Sequence, residues 1–277
     1  MELLDGKVVK NKILEELKEE IKTLPRKLGL TVIQVGNDPA SSVYVKQKEK
    51  MANELGYNFS HINLEENTTE EELLNLIEKI NEDEMVDGLL VQMPLPNHIN
   101  ASKIQNRISP NKDIDGLCDI NAGKLTHNID TLIPCTPFGI MDILNTYQIN
   151  IKGKCVVIVG RSDLVGKPIA SLMLNNDATV ICTHSKTVNL ASYTKLADIL
   201  IVAVGKPNLI TGDMVKEGVV IIDVGINRVN DKLVGDVDFE SVKTKTSYIT
   251  PVPGGVGQMT VAMLGKNVLK AYKITNK

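Results

Sequence analysis

The sequence predicts an α/β protein of two α/β domains, the second a Rossmann-like doubly wound parallel sheet. Three observations carry this. Residues 155–187 read as strand, turn, helix, strand, with one apolar run stopping at Gly160 and another over 179–182. Predominantly apolar runs recur over 30–35, 199–204 and 219–224, each followed by a glycine. Such runs mark strands buried on both faces of a parallel sheet. Helical patterns stand between them, as parallel crossovers require.

The chain's 277 residues suffice for two medium domains with real cores. Apolar residues make up 43% and charged residues 23%, an ordinary globular balance. A net charge of −3 provides no basic field for nucleic acid. No apolar stretch is long enough to cross a bilayer, and the opening segment is charged throughout, unlike a signal peptide. Cys118, Cys135, Cys155 and Cys182 form no CxxC pair, which reads as reduced thiols in a cytoplasmic protein. The four histidines are scattered, so no metal is expected. Without Trp, and with 3% aromatic residues, the core must be aliphatic.

Residues 7–24 alternate Ile, Leu and Val with Lys and Glu at helical period, and Pro25 stops them. Residues 30–35 are the first buried strand. Asp38 and Pro39 suit the N-cap and first position of a helix that runs to Leu55 and stops at Gly56. Projected on a helical wheel, Tyr44, Met51 and Leu55 share a side, with Lys48 among them, while Lys46 and Lys50 face away. A lysine held among apolar groups at a strand's carboxyl end loses solvation, and its pKa falls from about 10.4 toward the range useful for proton transfer. The alternative is a Lys48 that lays its stem along the apolar face and only packs. Tyr44, one turn earlier, shares its site.

Residues 57–64 read as a weaker strand, and Thr68 or Thr69 caps a helix to Ile80 with Glu70, Glu71 and Glu72 in its first turn. Residues 87–92 are a third strand, ending on Gln92 before Met93-Pro94-Leu95-Pro96. Ligands of open parallel sheets bind at that end, so Gln92 either hydrogen-bonds a ligand or caps its own loop. Residues 98–108 are helical, and Lys112-Asp113-Ile114-Asp115-Gly116 follows as a turn. A buried Asp115 would suit the N–H pair of an amino-pyrimidine. Pro134-Cys135-Thr136-Pro137 reads as a link between domains, with a helix over 138–147 beyond it.

In 155–187 the spacing Gly160-x-Ser162-x-x-x-Gly166 approaches the dinucleotide fingerprint without matching it. Gly160 allows the tight turn, Ser162 stands near the usual second glycine, and Gly166 falls on the helix. Such a turn aims backbone N–H groups at a pyrophosphate. After the second strand, Cys182-Thr183-His184-Ser185-Lys186-Thr187 lacks the acid that takes an NAD ribose, while Lys186 and Arg161 are cationic. This predicts NADP over NAD. The strands at 199–204 and 219–224 extend the sheet, and Ile226 approaches the cofactor from the switch-point side. Pro253, Gly254, Gly255, Val256, Gly257 and Gln258 open the last helix, which runs to Tyr272. Three glycines in four residues allow close backbone approach, across a cleft mouth or as a hinge.

These residues resemble one family, the bifunctional methylenetetrahydrofolate dehydrogenase/cyclohydrolases of one-carbon metabolism, over almost the whole chain. The resemblance rests on Tyr44-Val45-x-x-Lys48, Val91-Gln92-Met93-Pro94-Leu95-Pro96, Lys112-Asp113-Ile114-Asp115-Gly116 and Pro134-Cys135-Thr136-Pro137. It continues in Val159-Gly160-Arg161-Ser162, His184-Ser185-Lys186-Thr187, Asp223-Val224-Gly225-Ile226-Asn227 and Pro253-Gly254-Gly255-Val256-Gly257, in the family's order. It implies a homodimer with a cleft between its two α/β domains, the folate domain discontinuous, 1–137 plus 258–277, around a nucleotide domain at 138–257. It implies that Lys48 is the catalytic lysine, essential to the cyclohydrolase step and helpful in the dehydrogenase step. Tyr44 then packs on the folate, Gln92 positions Lys48, and Asp115 binds the pterin, with Val91 and Met93 beside them. Gly160, Arg161, Ser162, Ser185 and Ile226 then contact NADP, and Pro253 to Gly257 line the folate cleft. The implied reaction is NADP-dependent oxidation of 5,10-methylenetetrahydrofolate to the 5,10-methenyl form, then hydrolysis to 10-formyltetrahydrofolate. One departure stands out: Gln258 replaces a proline common in the family, which leaves the rigidity of the last loop open. Two rival readings are an NAD-linked dehydrogenase without cyclohydrolase activity and a non-enzymatic NADP-binding sensor.

Overall fold

The computed structural model describes residues 1–276, apart from the side chain of Ala40. The first elements are β1 (Glu2–Leu3), α1 (Gly6–Ile21), β2 (Gly29–Val35), α2 (Pro39–Leu55), β3 (Asn58–Leu64), α3 (Glu70–Glu82) and β4 (Gly88–Val91). Then come α4 (Ala101–Arg107), α5 (Asp119–Thr126), α6 (Cys135–Thr146), β5 (Cys155–Val159), α7 (Gly166–Asn175), β6 (Thr179–Thr183), α8 (Leu190–Thr194), β7 (Ile199–Val202) and β8 (Val219–Asp223). The last are β9 (Asn227–Val229), β10 (Lys232–Val234), α9 (Phe239–Val242), β11 (Thr246–Ile249) and α10 (Met259–Thr275). The chain divides into two compact units, Met1–Asn11 with Thr136–Thr260, and Lys12–Cys135 with the chain from Val261 on.

The first unit holds a six-stranded sheet in the order β1-β11-β8-β7-β5-β6. Every pairing in it is parallel. From the β6 edge, β5 lies next, then β7, β8 and β11 follow in chain order on its other side, with β1 added at the far edge. This is a doubly wound sheet of the flavodoxin-like order, and its topological switch point falls between β5 and β7. Val157, Leu200, Val202 and Ile221 are fully buried in its core, which is why these segments read as unbroken Val and Ile runs. The expected division at 1–137 and 138–257 differs from the observed one at the amino end. Glu2 and Leu3 pair with β11, and the Leu4 amide donates to the Ile249 carbonyl at 2.9 Å, which ties the first residues to this unit. The boundary at Cys135 and Thr136 falls inside the expected link Pro134–Pro137, although α6 already begins at Cys135. An antiparallel hairpin, β9–β10, stands apart from the sheet.

The second unit has a three-stranded parallel sheet, β3-β2-β4. β2 is central and buried along its whole length, whereas β3 at the edge alternates. Residues 112–114 run beside β4: Asp113 bridges Leu89 in parallel, and the Leu89 amide donates to the Lys112 carbonyl at 2.8 Å. Thr69 caps α3 through a capping box with Glu72, so the acidic first turn meets the positive helix end. α10 packs here because it is small where it touches. A Cβ on Gly265 would stand 2.8 Å from Leu55 Cδ1, and Tyr57 Oη donates to the Gly265 carbonyl at 2.9 Å. Among the described residues, no helix is long and apolar enough to cross a membrane.

Candidate active site

In the second unit the site is built where β4 ends beside α2. Asp38 caps α2 by accepting from the Ser41 amide at 2.7 Å, and Pro39 occupies the first turn. The buried stripe of α2 is Val45, Met51, Ala52 and Leu55. The projection put Tyr44 on that side, but the true stripe lies about one residue further on, and Tyr44 is 57% exposed. An open aromatic face one turn before Lys48 is a surface for stacking rather than part of the core. Lys46 and Lys50 are exposed and Lys48 is half-buried.

Lys48 Nζ donates to Gln92 Oε1 at 2.6 Å. The glutamine's orientation is set by its other end, since Gln92 Nε2 donates to the Met93 carbonyl at 2.7 Å. Ser41 Oγ donates to the same carbonyl at 3.2 Å. The amide oxygen is thereby left to face the lysine. The Met93–Pro94 peptide is cis. Val91 is buried in the core, while Met93 is half-buried.

The parallel bridge from Leu89 to Asp113 carries Asp115 toward the end of the sheet that holds Gln92. Cys135 donates its thiol hydrogen to Asp115 Oδ1 at 3.8 Å. Burial pushes the Lys48 amine below its ordinary pKa, opposed by the charge of Asp115 and then of Cys135. Burial pushes Asp115 the other way, above the usual carboxylate range, opposed by Lys48 and reinforced by Asp113. Both groups are thus driven toward their neutral forms, which is the condition for exchanging protons near neutral pH. Asp113 is also raised by burial, and it accepts from the Cys118 amide at 2.8 Å and from Asn121 Nδ2 at 3.0 Å.

In the first unit the turn after β5 lies at the switch point. Gly160 has φ +130°, and a Cβ there would stand 2.4 Å from the Ala203 carbonyl oxygen just beyond β7. A Cβ on Gly166 would stand 2.5 Å from the Gly160 carbonyl oxygen and 2.6 Å from Arg161 Cα. The two glycines let helix, turn and neighbouring strand close on one another. Ser162 Oγ accepts from the amides of Val165 at 3.2 Å and Gly166 at 3.4 Å, so the hydroxyl holds the turn in shape. Arg161, Ser185 and Lys186 are exposed around the ends of β5 and β6. A bare backbone turn at a switch point, with hydroxyls and cations at its rim, fits a dinucleotide carrying an extra phosphate.

Two groups here were not singled out from sequence. Asp236 is fully buried and accepts from the amides of Val204, Gly205 and Lys206 at 2.7, 3.0 and 2.8 Å. Asp223 accepts from the amides of Gly225, Asp236 and Val237, and burial raises it to about 6 against those bonds. These carboxylates hold the loops beyond β7 and β8. For Asp223 an acid closing the apolar run of β8 was the visible signal, whereas Asp236 follows an exposed hairpin arm and had none. Ile226, on the second of those loops, is 60% exposed and faces Gly257, whose Cβ would stand 3.0 Å from Ile226 Cδ1. Together with Pro253, Gly254, Gly255 and Val256 they line a cavity of about 140 Å³. The close approaches of Gly255 are to its own chain: its Cβ would meet the Pro251 carbonyl oxygen at 2.6 Å. Among the described residues no cluster of potential ligands could hold a metal ion.

The fold and these two sites define a class: a two-unit α/β enzyme with a dinucleotide turn in one unit and a desolvated lysine site in the other. Residues 4–115 match the catalytic domain of the tetrahydrofolate dehydrogenase/cyclohydrolase family, and residues 134–276 match its NAD(P)-binding domain. The chain belongs to that family, and is a bifunctional dehydrogenase and cyclohydrolase. It is 53% identical over 277 residues to the bifunctional protein FolD of Campylobacter hominis, covering 99% of this chain and 98% of that protein. The crystal structure of the bifunctional dehydrogenase/cyclohydrolase FolD from Campylobacter jejuni is similar with a TM-score of 0.96 and 50% identity, covering 99% of each chain. The Trypanosoma brucei enzyme, solved with NADP cofactor and inhibitor, gives a TM-score of 0.92 at 37% identity, over 99% of this chain and 98% of that one.

Proposed function

We propose that the chain oxidises 5,10-methylenetetrahydrofolate with NADP and hydrolyses the resulting methenyl compound to 10-formyltetrahydrofolate, with Lys48 as the proton-handling group. The observation that carries this is the Lys48 Nζ bond to Gln92 Oε1 at 2.6 Å, with the amine desolvated and Asp115 acting on it. Hydride loss from a carbon flanked by two nitrogens is pushed by their lone pairs and needs no base. NADP supplies the hydride acceptor when bound. Hydrolysis is different: water's oxygen joins the methenyl carbon and a C–N bond breaks, while the water gives up both its protons, one reaching the departing nitrogen and one passing to solvent with the positive charge of the methenyl group. Lys48 takes the first proton as the amine and returns one as the ammonium. Gln92 holds the amine in place, Asp115 binds the pterin's N–H groups, and Tyr44 stacks on the folate. Val91, Met93 and the loop Pro253–Gly257 complete the folate contacts. Gly160, Arg161, Ser162, Ser185 and Ile226 hold NADP.

The sign of one pH effect follows. Lys48 works as the amine, so the cyclohydrolase rate rises with pH through a midpoint below the ordinary lysine value of about 10.4. The Asp115 carboxylate raises the pKa of Lys48. Asp115→Asn is therefore expected to move that midpoint to lower pH while weakening folate binding. A midpoint unchanged or raised in the pH–rate profile would contradict the assignment.

The cofactor choice is tested by titration. A charged hydrogen bond contributes about 1.5–3 kcal/mol, so NADP is expected to bind roughly tenfold to a hundredfold tighter than NAD. Arg161→Ala should reduce that preference. Tighter binding of NAD to the unaltered protein would overturn the choice.

We also place the enzyme in the cytoplasm as a homodimer that does not bind nucleic acid. All four cysteines are free, which supports a reducing compartment. The hairpin β9–β10 exposes Val229 and Leu233 beside a groove of about 430 Å³ that includes Phe239 and Val252, an apolar surface suited to a second copy. The net charge of −3 supports the absence of nucleic acid.

A further inference from the structure

Asn267 lies on α10 and has no exposed surface. A buried carboxamide costs about 1–3 kcal/mol for each polar group left without a partner, so its bonds carry information. Its Nδ2 donates to the Ile114 carbonyl at 2.7 Å and to the Ile133 carbonyl at 2.8 Å, and it stands 3.9 Å from Cys135 Sγ. Its Oδ1 has no partner. The two carbonyls belong to separate segments, one leading directly into Asp115 and the other into Cys135. A second observation marks the same junction. Gly116 has φ +66°, and a Cβ there would stand 2.7 Å from both the Ile133 carbonyl carbon and Pro134 N. Glycine lets the two segments touch, and Asn267 locks them together from a third element.

We propose that Asn267 is a positioning residue for the hydrolytic step: its carboxamide clamps the Ile114 and Ile133 carbonyls and so sets where Asp115 and Cys135 stand beside Lys48. The inference rests on the reading of Lys48 as the proton-handling group. The charged and titratable groups that act on one another here are Lys48, Asp115, Asp113 and Cys135. Asn267 touches neither Lys48 nor the oxygen atoms of Asp115, so its effect passes through the backbone. An apolar side chain at this position would fill the space but leave the two carbonyls without their donor, at about 1–3 kcal/mol each. Two amide donors are needed where the positions of two carbonyls matter.

The test uses the full chain carrying Asn267→Leu, which keeps the branching and heavy-atom count of the side chain and removes both donors. Cyclohydrolase rates are measured across pH and expressed per molecule that binds NADP. A misplacement on the order of 1 Å can cost about a hundredfold, so the expected loss lies between about tenfold and a hundredfold. The pH midpoint should also move down, because a displaced Asp115 no longer raises the pKa of Lys48. Dehydrogenase turnover should fall much less. Asn267→Ser keeps one donor and should lie between the two proteins in rate and midpoint. A role in stability alone would lower Tm and the binding fraction but leave the midpoint of the surviving enzyme unchanged, and that result overturns the proposal. If the leucine variant does not fold, the serine variant decides: a lowered midpoint supports the proposal and an unmoved one overturns it. Failure of the underlying reading looks different: a Lys48→Met enzyme would still hydrolyse the methenyl compound, whatever Asn267 does.

Discussion

Lys48→Met is expected to lower cyclohydrolase turnover by roughly a hundredfold to ten-thousandfold, the usual contribution of a positioned acid–base group. Methionine retains the length and apolar stem of the lysine, so the substitution removes the amine and little else. It deletes a charge that burial already disfavours, and it leaves Gln92 Oε1 without its donor at 2.6 Å. These effects oppose one another, so Tm should move by a few degrees at most. The dehydrogenase step should survive in weakened form, since hydride loss needs no base. The check is a pair of assays on one preparation: methenyl hydrolysis, and formation of reduced nicotinamide from the methylene compound. Hydrolysis at the normal rate would remove Lys48 from the mechanism.

Gly160→Val is expected to have the largest effect on the other activity. A β-branched residue at φ +130° is strained by about 1–3 kcal/mol before any contact is considered. Its Cβ would also stand 2.4 Å from the Ala203 carbonyl oxygen, a backbone atom that cannot turn aside. The turn must open between β5 and β7, where the proposed NADP site lies. NADP affinity should drop by tenfold or more, and dehydrogenase turnover by about a hundredfold, through misplacement of the cofactor. Lys48, Gln92 and Asp115 lie in the other unit, so cyclohydrolase activity on added methenyl compound should remain within about threefold. Folded protein that loses both activities equally would contradict this separation.

The parts legible in the sequence were those written in local pattern. The β5, β7 and β8 runs are nearly pure Val, Ile and Leu and end in glycine, so the doubly wound sheet could be read directly. The hairpin β9–β10 escaped because each arm has three residues, mostly exposed, with no periodicity to detect. α5 escaped for a similar reason: Asn121 and Gly123 interrupt any apolar stripe, and Asn121 is buried to serve Asp113 rather than to face water. Helical period singled out Lys48 but put Tyr44 on the wrong side of the stripe, since a one-residue turn of the wheel moves an edge position from covered to open. The Lys48–Gln92 bond joins positions 44 residues apart, and only the family resemblance brought them together beforehand. Asn267 and Asp236 were invisible for the same physical reason. A lone polar residue in a pattern reads as solvent-facing, and only packed coordinates reveal that each is fully buried and bonded to loops far along the chain.

The central claim is that one chain performs both steps in order and with NADP. It is tested most directly by one time course: the protein, NADP and 5,10-methylenetetrahydrofolate are mixed, and reduced nicotinamide, methenyl and 10-formyl compounds are followed together. The account predicts reduced nicotinamide matched by 10-formyltetrahydrofolate in the unaltered protein, and by accumulating methenyl compound in Lys48→Met. No reduction of NADP, or the same methenyl accumulation with and without Lys48, would contradict it.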